Sequence, residues 1–229
     1  MLENPYLDQC AFRVEKVSDS TKGAHPLEIR LSANFSSPAR IREFLSGRRC
    51  AHAALSSLGY PMFAILRQKD RSPAWPFNII GDISHSSELA CAIIARPHLG
   101  IRGLGVDLLS LSRKINPGVI PKILSEQERD LWLPGKDPFP LNAKIAFSAK
   151  EAIFKCFYPL NKIYLDFMDA EILFIKDGIF KAKILKNPFN QNESRPLEAQ
   201  GKVQIEQDHI LTALLWKDEP WTDIKGDGF

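Results

Sequence analysis

The sequence is poor in the residues that staple small secreted or metal-bound proteins. Among 229 residues there are four cysteines, Cys10, Cys50, Cys91 and Cys156, widely scattered, with no CxxC and no histidine at ligand spacing. That argues against a zinc site and a disulfide framework and leaves most of the thiols as buried small hydrophobes. Long apolar runs are missing as well. No window approaches a membrane-spanning length, and the amino terminus MLENPYLDQCAFRVEKV lacks the basic segment and apolar run of a secretory signal. The expected location is therefore the cytoplasm. Charge of one sign is scarce too: 30 basic against 27 acidic residues leave +3. Such a surplus tolerates an anionic ligand or an acidic partner and falls far short of a nucleic-acid-binding signature.

What the sequence does contain is a hydrophobic content of 45%, enough for one large domain or two small ones packed together. Leu27-Glu-Ile-Arg-Leu31 alternates like a half-buried strand. Ser37-Pro38 then gives a cap and first-turn signal for a long helix through Ile41, Phe44, Leu45, Ala51, Leu55 and Leu58, with Gly59 as its stop. Met62–Leu66 reads as a strand and residues 69–76, KDRSPAWP, as a basic loop that prolines keep irregular. Leu89–Ala95 and Gly103–Leu109 are almost wholly apolar and read as two buried strands of one sheet. Helical pattern returns at Ser125–Leu133 and Asn142–Tyr158. Turns at Asp177-Gly178 and Gln207-Asp208 then predict two hairpins, with 187–198 a polar loop and the tail after Trp216 loose. Each half thus offers a long helix followed by antiparallel strands.

Three segments carry chemistry. Gly81-Asp-Ile-Ser-His-Ser86 places hydroxyls and one imidazole before a buried strand; the group can hydrogen-bond a phosphate, with protonated His85 adding charge, or form a plain polar turn. In Gly103-Leu-Gly-Val-Asp-Leu-Leu109, Asp107 sits among apolar neighbours and needs a cation, an ion pair or a cap. In Ile145–Lys155, IAFSAKEAIFK, Glu151 and Lys155 stand one helical turn apart, either a surface ion pair or the second half of a site. Two carboxylates converging with phosphate oxygens suit magnesium, and Lys150 and Lys155 could hold those phosphates as point charges.

In this order, and joined by FLSGRRCAHAAL and RSPAWPFNIIGDISHS upstream, ISHS, GVDLL and FSAKEAIFK resemble the 4'-phosphopantetheinyl transferases of the Sfp/EntD type. The enterobactin-associated branch is the most similar, and the pattern covers about residues 35 to 216. The resemblance implies an α/β (α+β) fold of two pseudo-twofold-related halves, each a long helix packed on a small antiparallel sheet. These are residues 1–102, with GRR, RSPAWP and ISHS, and 103–229, with GVDLL and FSAKEAIFK, acting as one transferase unit. Coenzyme A would lie between them and give its phosphopantetheine arm to a serine of an acyl, peptidyl or aryl carrier protein, releasing 3',5'-ADP.

Carried over position by position, the resemblance makes Asp107 and Glu151 the ligands of Mg2+ (manganese being the alternative), with Glu151 also the base. It brings Ser84 and His85 to a coenzyme A phosphate, Arg48 and Arg71 to the 3'-phosphate or diphosphate, Lys155 to a phosphate, and leaves Lys150 in the signature with a less defined role. One departure stands out. Many members read GxDxE where this chain has Leu109, so the third carboxylate is missing; a water can fill its place, and activity is expected with metal affinity and preference the properties affected. Two alternatives share the same residues: a magnesium-dependent phosphohydrolase of coenzyme A or a nucleotide, and a coenzyme A-binding homologue without turnover. The segment from about Asn116 to Phe139 is the expected carrier-docking surface, with Ile120, Ile123 and Leu124 as apolar anchors and Lys122 as a basic one. A site built within one chain has no need to dimerise, so a monomer is expected.

Overall fold

The computed structural model describes residues 2–97, 100–133, 135, 137, 139–189 and 196–217. Strand β1 (Ala11–Lys16), helices α1 (Pro26–Ser32) and α2 (Pro38–Ser57) and strands β2 (Ile80–His85) and β3 (Leu89–Ala95) come first. Then follow β4 (Ile101–Ser110), the short α3 (Ile120–Ile123) and α4 (Glu126–Trp132), the long α5 (Leu141–Asn161), and β5 (Ala170–Lys176), β6 (Ile179–Ile184), β7 (Leu197–Glu206) and β8 (His209–Lys217). They form two antiparallel sheets, ordered β1-β3-β2 and β4-β8-β7-β6-β5. In each, the strand before the long helix pairs with the last strand after it, β1 with β3 and β4 with β8.

Side-chain alternation explains why β3 is apolar throughout. Ala90, Ala92 and Ile94 belong to a core with Cys50, Ala51, Ala54 and Leu55 of α2, whereas Cys91, Ile93 and Ala95 pack with Leu104, Val106 and Leu108 of β4. Ile93 and Ile94 are both fully buried, one on each face, and each contributes about 1.5–3 kcal/mol. The larger core lies under α5, where Ala149, Ile153 and Phe157 meet Ile172, Phe180, Ile210 and Leu214. All four cysteines are buried and free.

Gly105 sets the distance between α5 and β4. A Cβ there would lie 2.1 Å from the Ala152 carbonyl oxygen and 2.7 Å from the Cys156 nitrogen. The missing side chain lets the helix backbone touch the strand.

Three expectations fail locally. Leu27–Leu31 is helical: His25 caps α1, Glu28 closes the capping box, and Pro26 occupies the first turn, signals that outweigh a five-residue alternation. Met62–Leu66 is not a strand. Ile65 donates its N–H to Glu28 Oε1 at 2.7 Å and its carbonyl accepts from Arg48 Nε at 2.7 Å, so side chains satisfy both backbone groups. Finally, β3 and β4 pack against each other in different sheets. The helix starting at Pro38, the Gly59 stop at φ +79°, α4, α5 and both hairpins are as expected. Residues 190–195 of the polar loop and 218–229 of the tail lie outside the described residues.

Candidate active site

Strands β2 and β4 are edges of their sheets, and they meet without a ladder. Two side chains of β2 do the ladder's work. Asp82 Oδ2 accepts the Val106 N–H at 2.8 Å and Ser84 Oγ accepts the Leu108 N–H at 3.0 Å. Residues two apart on a strand point the same way, so Asp82 and Ser84 face β4, while Ile83 packs toward Gly47 of α2.

Between those two bonds lies Asp107, and helix α5 brings three residues of one face to it, since positions 148, 151 and 155 follow the i, i+3, i+7 rule. Ser148 Oγ donates to Asp107 Oδ2 at 2.8 Å, with Thr212 Oγ1 2.9 Å away. Lys155 Nζ donates to Asp107 Oδ1 at 2.9 Å, to the Val106 carbonyl at 2.9 Å and to Ser84 Oγ at 3.1 Å. All three ammonium donors are used, so Lys155 is a fixed cation. Burial alone would lower its pKa, but Asp107 and Asp82 reverse the effect and hold it above the usual lysine range.

Glu151 is half-buried and makes none of the described hydrogen bonds or ion pairs. Burial raises its pKa; Lys155 and Arg113 oppose that, while Asp107 and Asp82 add to it. The two carboxylates therefore share one field, and the unpaired one is available to a cation. No group of three metal-ligating side chains exists among the described residues. A pair of carboxylates fits magnesium, which keeps waters in its remaining positions.

Beside this centre stands a group of cations around His85. Its Nε2 lies 3.3 Å from Arg40 Nη1 and its Nδ1 lies 3.4 Å from Glu43 Oε2. Burial, then Arg40, Lys155 and Arg48, push the imidazole pKa down to about 4, so the ring is neutral at pH 7, not protonated as its sequence context suggested. Arg48 is buried, lies over the Phe44 ring at 4.5 Å and holds the Ile65 carbonyl. Arg67 feels the charges of Arg71 and Arg40, which lower its pKa further after burial. Arg40, Arg48, Arg67 and Arg71 thus bring four guanidinium groups to this neighbourhood, with Glu43 3.7 Å from Arg40, a local excess of positive charge that favours an anion. A cleft of about 740 Å³ opens next to it, lined by Arg71, Trp75, Asp82, Lys155, Tyr158 and Lys162 among others.

Residues 31–95 match the model of the 4'-phosphopantetheinyl transferase N-terminal domain and residues 103–213 that of the 4'-phosphopantetheinyl transferase superfamily. The chain is 31% identical to 4'-phosphopantetheinyl transferase Npt of Nocardia iowensis over 202 residues, covering 84% of this chain and 89% of that protein. It is 32% identical to 4'-phosphopantetheinyl transferase PptT of Mycobacterium tuberculosis over 182 residues, 77% of this chain and 79% of the relative. It is 35% identical to enterobactin synthase component D of Salmonella typhi over 119 residues, 52% and 48% of the two chains. The chain belongs to the 4'-phosphopantetheinyl transferase superfamily.

As a phosphopantetheinyl transferase it modifies carrier proteins with the arm of coenzyme A, and the expected site residues can be placed against that activity. Asp107, Lys155 and Ser84 converge, Glu151 shares the field of Asp107 and Lys155, and Arg48 belongs to the adjacent cations around neutral His85. Arg71 lines the cleft.

Lys150 does not join them. It is buried, and its ammonium donates to Glu128 Oε2 at 2.6 Å, the Ile123 carbonyl at 2.8 Å and the Phe167 carbonyl at 2.9 Å. Five residues from Lys155 on a helix is about 140° of rotation, which turns Lys150 toward the opposite side. The expected docking anchors fail similarly. Ile120, Ile123 and Leu124 are 7%, 5% and 0% exposed and belong to the core under α5, so no partner reaches them.

Reading by sequence missed four residues: Asp82, Ser148, Arg40 and Arg67. The first two carried a usable signal, since Asp82 precedes Ser84 by two and Ser148 precedes Glu151 by three, sharing a face in each case. Arg40 and Arg67 had none, because only the fold brings the start of α2 and the basic loop beside His85.

Proposed function

We propose that this protein transfers 4'-phosphopantetheine from coenzyme A to a serine of an acyl, peptidyl or aryl carrier protein, with Mg2+ held by Asp107 and Glu151, releasing 3',5'-ADP. The observation that carries the reading is the convergence on Asp107 of Ser84 from one sheet and Ser148 and Lys155 from α5, beside the His85 cation group.

The cation group receives the phosphates. Arg48, Arg71 and Lys155 supply fixed positive charge, and neutral His85 with Ser84 supplies hydrogen bonds that orient the oxygens. The carrier serine oxygen attacks the β-phosphorus, the bond from that phosphorus to the bridging oxygen breaks, and 3',5'-ADP leaves with the electron pair. Glu151 takes the serine proton, directly or through a water. A divalent cation held by Asp107 and Glu151, magnesium or manganese, would neutralise charge on the diphosphate.

Residues 1–102 and 103–229 form the two halves of this single unit, which acts as a monomer in the cytoplasm. No described helix is long and apolar enough to cross a membrane. The test is intact mass spectrometry of apo-carrier domains incubated with the protein, coenzyme A and magnesium. A phosphopantetheine mass gain that is lost in Glu151→Gln and Asp107→Ala supports the reading. Release of 3',5'-ADP without any carrier would assign a hydrolase instead.

A further inference from the structure

The loop from Leu66 to Ala74 is a hairpin closed on itself. Ala74 N–H donates to the Leu66 carbonyl at 2.8 Å, Gln68 N–H to the Ser72 carbonyl at 2.9 Å and Gln68 Nε2 to the Pro73 carbonyl at 3.1 Å, and Arg67 bridges Pro73. Asp70 stands at its tip, beside Arg71 in the left-handed region at φ 70°. Its Oδ1 accepts the Ser72 N–H at 3.0 Å and the Ser72 hydroxyl at 2.6 Å, which fixes the carboxylate and leaves Oδ2 facing outward.

Across the cleft, α5 ends at Lys162, the C-cap, in the left-handed conformation at φ 56°. Its ammonium lies 5.1 Å from the Tyr158 ring centre and reaches Asp70 Oδ2 at 2.8 Å. Asp70, Arg71, Tyr158 and Lys162 all line the 740 Å³ cleft, together with Asp82 and Lys155. Among the described ion pairs, Asp70–Lys162 alone joins a residue of the first half to one of the second.

We propose that Asp70 and Lys162 are a positioning pair that straps the basic hairpin across the mouth of the coenzyme A cleft, holding Arg71 over the bound coenzyme; this rests on the transferase reading. The pair suits a reversible strap because its partners are 23% and 47% exposed. Pairs so exposed are worth little and open easily, so the strap lets coenzyme in and 3',5'-ADP out without costing much turnover. The hairpin's own hydrogen bonds shape the arm, and the ion pair both sets where it rests and damps its opening.

The test is a double-mutant cycle of Asp70→Asn, Lys162→Met and the double variant on the full chain, with two readouts. In steady-state transfer, each single variant is expected to raise KM for coenzyme A about two- to fivefold with kcat nearly unchanged, and the double variant to be no worse than either single. In hydrogen exchange without any ligand, amides of residues 68–74 are expected to lose protection in both single variants. Additive KM effects, a tighter KM in Asp70→Asn, a loss confined to kcat, or unchanged exchange would each overturn the strap. Exchange needs no substrate, so absence of transfer by the unaltered protein would sink the transferase reading and leave the pair to be judged by exchange.

Discussion

Glu28 and Glu128 occupy corresponding places in the two halves of the chain. Each is the third residue of a short helix and closes a capping box, with His25 in α1 and with Ser125 in α4. Both are buried, and both reach a basic residue on the long helix, Glu28 to His52 Nε2 at 2.9 Å and Glu128 to Lys150 Nζ at 2.6 Å. Each also accepts an isoleucine N–H downstream of that helix, from Ile65 at 2.7 Å and Ile172 at 2.8 Å. Both sheets pair the strand before the long helix with the last strand after it, and this shared role extends the likeness to single residues. In the second half, α5 carries this brace through Lys150 on one face and presents Ser148, Glu151 and Lys155 to Asp107 on another.

That brace predicts how Lys150 behaves. Lys150→Met leaves Glu128 buried without its cation, so urea denaturation is expected to show a loss of about 3–5 kcal/mol. Because Lys150 points away from the cleft, KM for coenzyme A measured on the folded fraction should stay within about twofold of the unaltered enzyme. A large rise in KM with little loss of stability would return Lys150 to the phosphate site.

Glu151 and Asp107 should separate in the opposite sense. Glu151 makes none of the described hydrogen bonds, so Glu151→Gln should leave the thermal midpoint nearly unchanged or raise it. Transfer should fall at least about 100-fold, a barrier increase of ~2.7 kcal/mol. Asp107→Ala strips Lys155, Ser84 and Ser148 of a shared acceptor, so it should lose both activity and about 3–5 kcal/mol of stability. Calorimetry beside the mass assay reads both quantities.

Acid stability depends on two neighbours that titrate with opposite sign. His85 is pushed down to about 4 from 6.5 by burial and nearby cations. The unfolded chain takes up that proton first, so His85 withdraws stability as pH falls from 6.5 toward 4. Asp82 is pushed up to about 6 from 3.8 by burial. Here the folded chain takes up the proton first, so Asp82 withdraws stability as pH rises through the same window. Each effect is about 3 kcal/mol, and in the unaltered protein they largely cancel. Denaturation midpoints between pH 4 and 6.5 should therefore fall with rising pH in His85→Gln and rise more steeply than normal in Asp82→Asn.

The legible part of this fold was local and the illegible part lay between sheets. Helix α2, α5 and both hairpins announce themselves through caps, periodicity and turn residues within a single window. Three motifs in order were enough to single out Asp107, Glu151, Lys155, Ser84 and His85, which the fold brings into one neighbourhood. By contrast, the docking of β2 beside β4 depends on Asp82 and Ser84 serving backbone groups more than twenty residues away, and no periodicity encodes that. The same holds for Met62–Leu66, where Arg48 and Glu28 complete Ile65 and remove its need for a strand partner. Lys150 misled because a motif shows spacing and hides direction.

Direction and distance together make Gly105 the most sensitive position in the strand that carries Asp107. Gly103 leaves 2.7 Å to the Cys156 carbonyl oxygen for an added Cβ, but Gly105 leaves only 2.1 Å to that of Ala152. These are backbone atoms in a helix whose own hydrogen bonds resist displacement, so Gly105→Ala must push α5 off β4. Overpacking of a core contact typically costs about 1–3 kcal/mol, and here the same shift carries Ser148, Glu151 and Lys155 away from Asp107. An ångström of misplacement at a reacting centre costs on the order of 100-fold in rate. Gly105→Ala is therefore expected to lose transfer activity out of proportion to its stability, with kcat falling while the urea midpoint remains measurable. Unchanged kcat in a folded Gly105→Ala protein would mean that the helix face does not set the geometry around Asp107.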